Sequence, residues 1–301
     1  MILDLTEEAL AALDPATGAL SDALERGQIV HFPRCPIELP DAAELAWLRE
    51  LLPARLSRKN VSWYRRGDRL IGLKAERALV TRTREVMRAH ADRVLAFLGR
   101  AMPAFMRGAT PGTTSFRPLQ ERGRDLAAHA SNELIHIDAG AYGATHGDRI
   151  LRFFVNVNPT EPRIWASRGT FAELHARYGE RAGVVGGSLA PGLLARGLSG
   201  LLRATGSTAL RMVDSSPYDR RMRRFHNFMK DAPEFRDATT GLQKFSFAPF
   251  SAWMVLTDAV SHACLSGQHA LVDTFVVPLA NCRLRALSPY EILASARPGR
   301  E

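Results

Sequence analysis

"ELIHIDAGAYG" (residues 133–143) is the stretch on which the fold of this chain turns. Apolar Leu134 and Ile135 lead into His136, Ile137 and Asp138, and a run of small residues and glycines follows. On an extended chain, residues two apart point to the same side, so His136 and Asp138 aim at one place while Ile137 points away. Alone, the pair could equally be two ordinary polar residues closing a strand. The surrounding sequence has to supply a third partner.

It does so more than a hundred residues later. "AWMVLTDAVSHACLSGQHALVDTFVVP" (252–278) reads as an apolar strand running to Asp258, a turn carrying His262 before Ser266 and Gly267, and a second apolar strand. Two histidines and one carboxylate on one face, with open positions opposite, form the ligand set of non-haem iron(II) oxygenases. His269 competes for the third place, but it lies past the glycine on the outgoing strand, so His262 is preferred.

Between the two signals runs "RILRFFVNVNP" (149–159). Alternation sets Ile150, Arg152, Phe154, Asn156 and Asn158 on one face and Arg149, Leu151, Phe153 and Val155 on the other. Arginines on so apolar a strand are costly to bury unless an anion meets them. A guanidinium beside a metal site suits a carboxylate, which it grips as a bidentate fork. Strand-end ion pairs are the plainer reading of the same two residues.

Around this centre, "DAAELAWLRELLP" (41–53) and "ERALVTRTREVMRAHADRVLAFLGRAM" (76–102) have helical spacing. "TTSFRPL" (113–119), "ELIHI" (133–137), "RILRFFVNVNP", "AWMVLTD" (252–258) and "ALVDTFVVPL" (270–279) read as strands. Helical material falls between the third and fourth: 169–179, 188–204 and 216–235. The expectation is an α+β fold in one domain: residues 1–110 mainly helical support, 111–165 and 245–290 the β core, 166–244 a helical insertion.

The composition is that of an ordinary globular chain, 46% hydrophobic. No apolar run is long enough to span a bilayer, and the acidic N-terminus lacks a signal-peptide n-region. Cys35, Cys264 and Cys282 suggest buried small side chains in a reducing compartment. The net charge of +9, mostly arginine, favours anionic partners. The arginines are dispersed and no helix-turn-helix, zinc-ligand or RNP pattern accompanies them, so nucleic acid is not expected. In "DRRMRRFHNFMKD" (219–231), Arg220, Arg223 and Arg224 share one helix face, and Met222, Phe225 and Met229 another. Such a helix is either a solvated face over a packing stripe or a surface for an anionic membrane.

Taken together, "LIHIDAG", "DRILRFFVNVNP" with the following "PRIW", "MVLTDAVSHACLSGQHALVDTFVVP" and, more loosely, "SFRPLQERGR" (115–124) resemble the 3-deoxy-D-manno-oct-2-ulosonic acid (Kdo) hydroxylases. The resemblance spans roughly residues 113–280 and is weak over the first hundred. It implies a double-stranded β-helix, jelly-roll core and an Fe(II)- and 2-oxoglutarate-dependent dioxygenase that uses O2 and hydroxylates C3 of Kdo on lipid A, yielding D-glycero-D-talo-oct-2-ulosonic acid. It carries the iron ligands over to His136, Asp138 and His262.

Many oxygenases of this type hold the distal carboxylate of 2-oxoglutarate with a basic residue at the position that here is Val272, and no Lys or Arg occurs between Gly267 and Pro278. Arg152 is therefore the first choice of anchor, with Arg149 and Arg163 behind it and Ser131 and Thr274 as further cosubstrate contacts. Arg117, Tyr142, Arg220 and Arg224 are expected to meet the acceptor. The loop "AGAYGATHGD" departs from the proline-bearing loop of the family, and it is where the sugar is expected to enter. The implied partner is a Kdo-bearing lipid A or lipopolysaccharide precursor. The implied place is the cytoplasm, with peripheral contact at the cytoplasmic face of a Gram-negative inner membrane. The competing readings are the same chemistry on a protein side chain or lipid acyl chain, and a cupin-like scaffold that has lost its metal.

Overall fold

Strands form where apolar, β-branched and aromatic residues run together, and three such runs make the centre of the molecule. They are β6 (Arg149–Asn156), β9 (Ala252–Leu256) and β11 (Ala270–Val277), buried along nearly their whole length. Strands buried on both faces read as continuous apolar runs, as these do. The structure, a computed structural model, describes residues 1–140, 143–189 and 216–296.

β11 pairs antiparallel with β6 on one side and with β5 (Thr110–Arg117) on the other; β9 pairs with β6. The sheet is extended at one edge by β2 (Ile29–Phe32) and β1 (Ile2–Asp4), and at the other by β3 (Val61–Tyr64) and β4 (Arg69–Ile71), in the order β1-β2-β9-β6-β11-β5-β3-β4. A smaller sheet faces it, ordered β10-β7-β8, from β10 (Ala263–Ser266), β7 (Arg163–Ser167) and β8 (Gln243–Phe247). Two facing sheets, antiparallel except where β1 runs parallel to β2 at one edge, make the expected double-stranded β-helix within an α+β fold.

The alternation read along β6 holds. Leu151, Phe153 and Val155 join the core beneath the helices, while Phe154 joins a separate aromatic core between the sheets. There Phe247 stacks on Trp253 at 3.9 Å and Trp253 on Phe154 at 5.1 Å, closing the floor of the roll. On the outer face lies the long helix Arg77–Ala101, burying Val86, Val94, Phe97 and Leu98. Its arginines follow the expected solvated face: Arg77, Arg82 and Arg88 are exposed, and Arg84 and Arg93 reach Asp68 and Glu38.

Two expectations change. Residues 1–110 supply four strands as well as helices, and these build both edges of the large sheet. They are three or four residues long, too short to show a period. "ELIHI" is not a regular strand: it touches the small sheet at one bridge, His136 opposite His262. The reason lies in its hydrogen bonds. His136 N–H donates to His262 O, but Asp138 N–H donates to Thr257 O, so no single neighbour continues the ladder. The part of the expected helix 188–204 beyond Leu189 lies outside the described residues.

The candidate metal centre

The bridge that replaces a strand is what assembles the site. His136 and His262 exchange both backbone hydrogen bonds, at 3.0 and 2.8 Å, which sets them directly opposite one another. Opposed residues point to the same side, and the rings meet with centroids 4.6 Å apart. Asp138 returns to the same side two residues on. One ligand atom from each of His136, Asp138 and His262 lies within 4.8 Å of the others, and all three residues are buried.

Each ligand is oriented from behind. His136 Nδ1 donates to Leu134 O at 2.7 Å and His262 Nδ1 to Val260 O at 3.0 Å. A carbonyl only accepts, so both Nδ1 atoms carry the proton and both Nε2 lone pairs face the gap. Trp165 stacks on the His262 ring at 5.4 Å. Asp138 presents Oδ1 to His136 Nε2 at 3.8 Å while Arg152 holds Oδ2 at 3.0 Å. Burial pushes the imidazoles down, His136 well below its ordinary value and His262 to about 4. Burial alone would raise Asp138, but Arg152 and the two histidines hold it well below the usual carboxylate range. Near neutral pH the site is thus two neutral imidazoles and one carboxylate, the donor set that suits iron(II).

The three ligands open onto a cavity of about 190 Å³, also lined by Arg117, Asn132, Arg152, Trp165, His226 and Lys230. Of the arginines expected at the cosubstrate, only Arg152 reaches it. Arg149 is held elsewhere, its Nε 2.6 Å from Asp258 with both residues fully buried. Arg163 is turned to Glu121 at 3.2 Å and is absent from the cavity wall. Thr274 pairs with Arg152 across the sheet, and Ser131 gives its carbonyl to Lys230, without either lining the cavity.

Of the acceptor candidates, Arg117 lines the cavity beside the metal ligands. Arg220 and Arg224 do not. They border a separate groove with Gly183, Gly186 and Pro217, where Arg224 donates to Gly183 O. Tyr142 lies outside the described residues. In the loop expected to admit the sugar, Thr145 N–H donates to Asp219 at 2.7 Å, pinning it to the inserted helix Pro217–Asp231, and none of its described residues lines the cavity.

Sequence reasoning missed His226, Lys230, Asn132 and Glu121. His226 and Lys230 are four apart on one helix and so share a face, a signal hidden among the arginines around them. Glu121 is buried and accepts from Asn132 and Arg163, with Arg117 at 3.5 Å. Against the cost of burial, these cations keep it ionised.

A jelly roll that buries two histidines and an aspartate at one rim, beside cationic walls, defines an Fe(II)- and 2-oxoglutarate-dependent dioxygenase. The family described as 3-deoxy-D-manno-oct-2-ulosonic acid (Kdo) hydroxylase matches residues 10–298, and the chain belongs to that family. Among solved structures it is similar to the apo form of the Kdo hydroxylase KdoO, a non-haem Fe(II) α-ketoglutarate-dependent dioxygenase. The TM-score is 0.78 at 26% identity, covering 97% of this chain and 94% of that one. The complex of KdoO with α-ketoglutarate and Fe(III) gives 0.77 at 26% identity over the same shares. Its complex with succinate and Fe(III) gives 0.78 at 25% identity, over 100% of this chain and 99% of that one. No curated protein sequence matches the chain.

Proposed function

We propose that this chain hydroxylates C3 of Kdo on a lipid A-linked lipopolysaccharide precursor, giving D-glycero-D-talo-oct-2-ulosonic acid. The observation that carries the reading is the buried cluster of His136, Asp138 and His262 facing a cavity whose wall holds Arg117, Arg152 and Lys230. One carboxylate among three cations leaves room for anions, and both 2-oxoglutarate and an acidic sugar are anions.

In this reading His136, Asp138 and His262 hold the iron. Iron with bound 2-oxoglutarate and O2 supplies the oxidising power that puts a hydroxyl on an unactivated carbon, with succinate and carbon dioxide released. The chain contributes position. The carbonyl-anchored imidazoles fix two ligand directions, Arg152 keeps the third ligand ionised with its charge 3.0 Å from Asp138 Oδ2, and Trp165 and Phe154 keep the inner wall dry. Arg152 and Arg117 each retain a buried Nε without a hydrogen-bond partner. We assign the distal carboxylate of 2-oxoglutarate to Arg152, with Arg117 behind it.

The exposed arginine face of the inserted helix, which includes Arg220 and Arg224, is assigned to the anionic lipid surface around the substrate, at the cytoplasmic face of the membrane. No helix among the described residues is long and apolar enough to cross a bilayer, so this contact would be peripheral.

Succinate release by the iron-loaded enzyme should rise when Kdo-bearing lipid A is added, and the lipid should gain one oxygen by mass spectrometry. Stimulation by a protein or acyl-lipid acceptor instead would replace the sugar assignment and keep the chemistry. Arg152→Ala should raise the 2-oxoglutarate requirement far more than it weakens iron binding. If iron binding falls instead, Arg152 serves Asp138 alone and Arg117 is the anchor.

A further inference from the structure

The inserted helix carries a buried cation that the iron and the cosubstrate do not need. Lys230 stands in its last turn with 2% of its surface exposed, yet it lines the cavity of the metal ligands. Its ammonium donates to His129 O and Ser131 O, both at 3.0 Å. An ammonium has three N–H groups, so these carbonyls leave one donor over.

The other cavity cations already face carboxylates. Arg152 meets Asp138 at 3.0 Å, and Arg117 lies 3.5 Å from Glu121. Lys230 is held by carbonyl oxygens, which fix its position without cancelling its charge. Iron(II), Asp138 and dianionic 2-oxoglutarate together carry one negative charge, which Arg152 balances. Glu121 is already shared between Arg117 and Arg163, so it leaves nothing over for Lys230, whose charge suits an anionic acceptor.

One turn earlier on the same face is His226. Its Nδ1 donates to Ile137 O at 2.7 Å, leaving Nε2 as an acceptor, and its ring stands edge-on to His136 at 5.1 Å. That ring fills the space between Lys230 and the metal ligands, and the buried cation with a spare donor matches the carboxylate of a sugar acid.

We propose that the inserted helix is the acceptor-reading element of this enzyme: Lys230 holds the carboxylate of the Kdo unit. The proposal rests on the Kdo reading above and adds the group that selects the sugar. It also explains why the insertion is pinned to the ligand-bearing segment, through Asp219 to Thr145 and through Lys230 to the 129–131 turn.

The test compares Kdo-bearing lipid A with the same lipid whose Kdo carboxylate is methyl-esterified. Binding to the metal-free chain is measured by equilibrium dialysis, and acceptor KM with the iron-loaded enzyme. In the parent protein, esterification should weaken binding about 10- to 100-fold, the worth of a charge-assisted hydrogen bond. In Lys230→Met the acid should lose that advantage and bind as the ester does, with 2-oxoglutarate affinity unchanged. Lys230→Arg keeps the charge and should keep the preference for the acid. A purely structural lysine would lower the melting temperature of Lys230→Met and leave the acid-to-ester ratio intact, which would overturn the proposal. A matching loss of 2-oxoglutarate affinity would also overturn it, by giving Lys230 to the cosubstrate. If the parent neither binds nor oxidises Kdo-bearing lipid A, the substrate reading fails as well. If the parent turns it over but Lys230→Met discriminates fully, the role of the helix alone fails.

Discussion

Replacing Asp258 with alanine separates architecture from chemistry at the arginine beside the site. Arg149 and Asp258 are fully buried, with Nε 2.6 Å from Oδ2, and Asp258 Oδ1 also accepts from Ile150 N–H at 3.0 Å. Burial works against the guanidinium charge, yet Asp258 more than offsets it and raises the Arg149 pKa. Both Arg149 Nη atoms lack a hydrogen-bond partner, so nothing else stands ready to take up the charge. Removing Asp258 strands a buried cation, at a cost of about 3–5 kcal/mol. With an unfolding entropy of about 2.1 cal/mol/K per residue over 301 residues, that lowers Tm by about 5–8 °C. Scanning calorimetry of Asp258→Ala reads this directly, and the 2-oxoglutarate KM should not move. Arg149→Met combined with Asp258→Ala should recover much of the loss, since an apolar pair of similar volume replaces a buried ion pair at little cost. An unchanged Tm with a raised 2-oxoglutarate KM would refute this reasoning and return Arg149 to the cosubstrate.

His136→Ala and Asp138→Ala should each abolish stoichiometric iron or cobalt(II) binding, read by titration calorimetry, with the fold retained by circular dichroism. Glu121→Ala leaves Arg117 and Arg163 without their shared carboxylate; it should cost about 3–5 kcal/mol in urea unfolding and weaken cosubstrate binding through the displaced Arg117. The metal-free protein should lose stability as pH falls. The folded pKa of His136 lies well below 6.5 and that of His262 at about 4. The unfolded chain therefore takes up protons first, and the contribution present above about pH 6.5 drains away toward pH 4. Urea midpoints at about pH 7 and about pH 5 should show the drop, and a saturating metal should reduce it by holding the imidazoles unprotonated.

The helices were legible from their long, clear period and the central strands from their unbroken apolar runs. The helix read at 76–102 is Arg77–Ala101, and the strands read at 149–159 and 270–279 are Arg149–Asn156 and Ala270–Val277. The edge strands were not, because three or four residues carry no measurable period, although the turn in "VSWYRRGDRLI" has Gly67 and Asp68 in left-handed backbone. The ligand trio was legible from residue type and order, since alternation alone puts His136 and Asp138 on one side. The cation assignments were not. Arg149, Arg152 and Arg163 are alike in sequence, and only their acids tell them apart: Asp258, Asp138 and Glu121. Those acids come from distant segments, so the choice is made by tertiary pairing. Lys230 was overlooked because it ends a helix that reads as a solvated basic face, while its own side chain turns inward.

The order of strands also bears on how the enzyme is made. β11, the last strand among the described residues, lies between β6 and β5 in the middle of the large sheet. Until it leaves the ribosome, β5 and β6 each present an open, apolar edge with no neighbour to cover it. His262 reaches its place opposite His136 on the segment that leads into the same strand. The nascent chain thus keeps apolar edges open until β11 is made, and the full set of iron ligands is present only once His262 has been translated, long after His136 and Asp138.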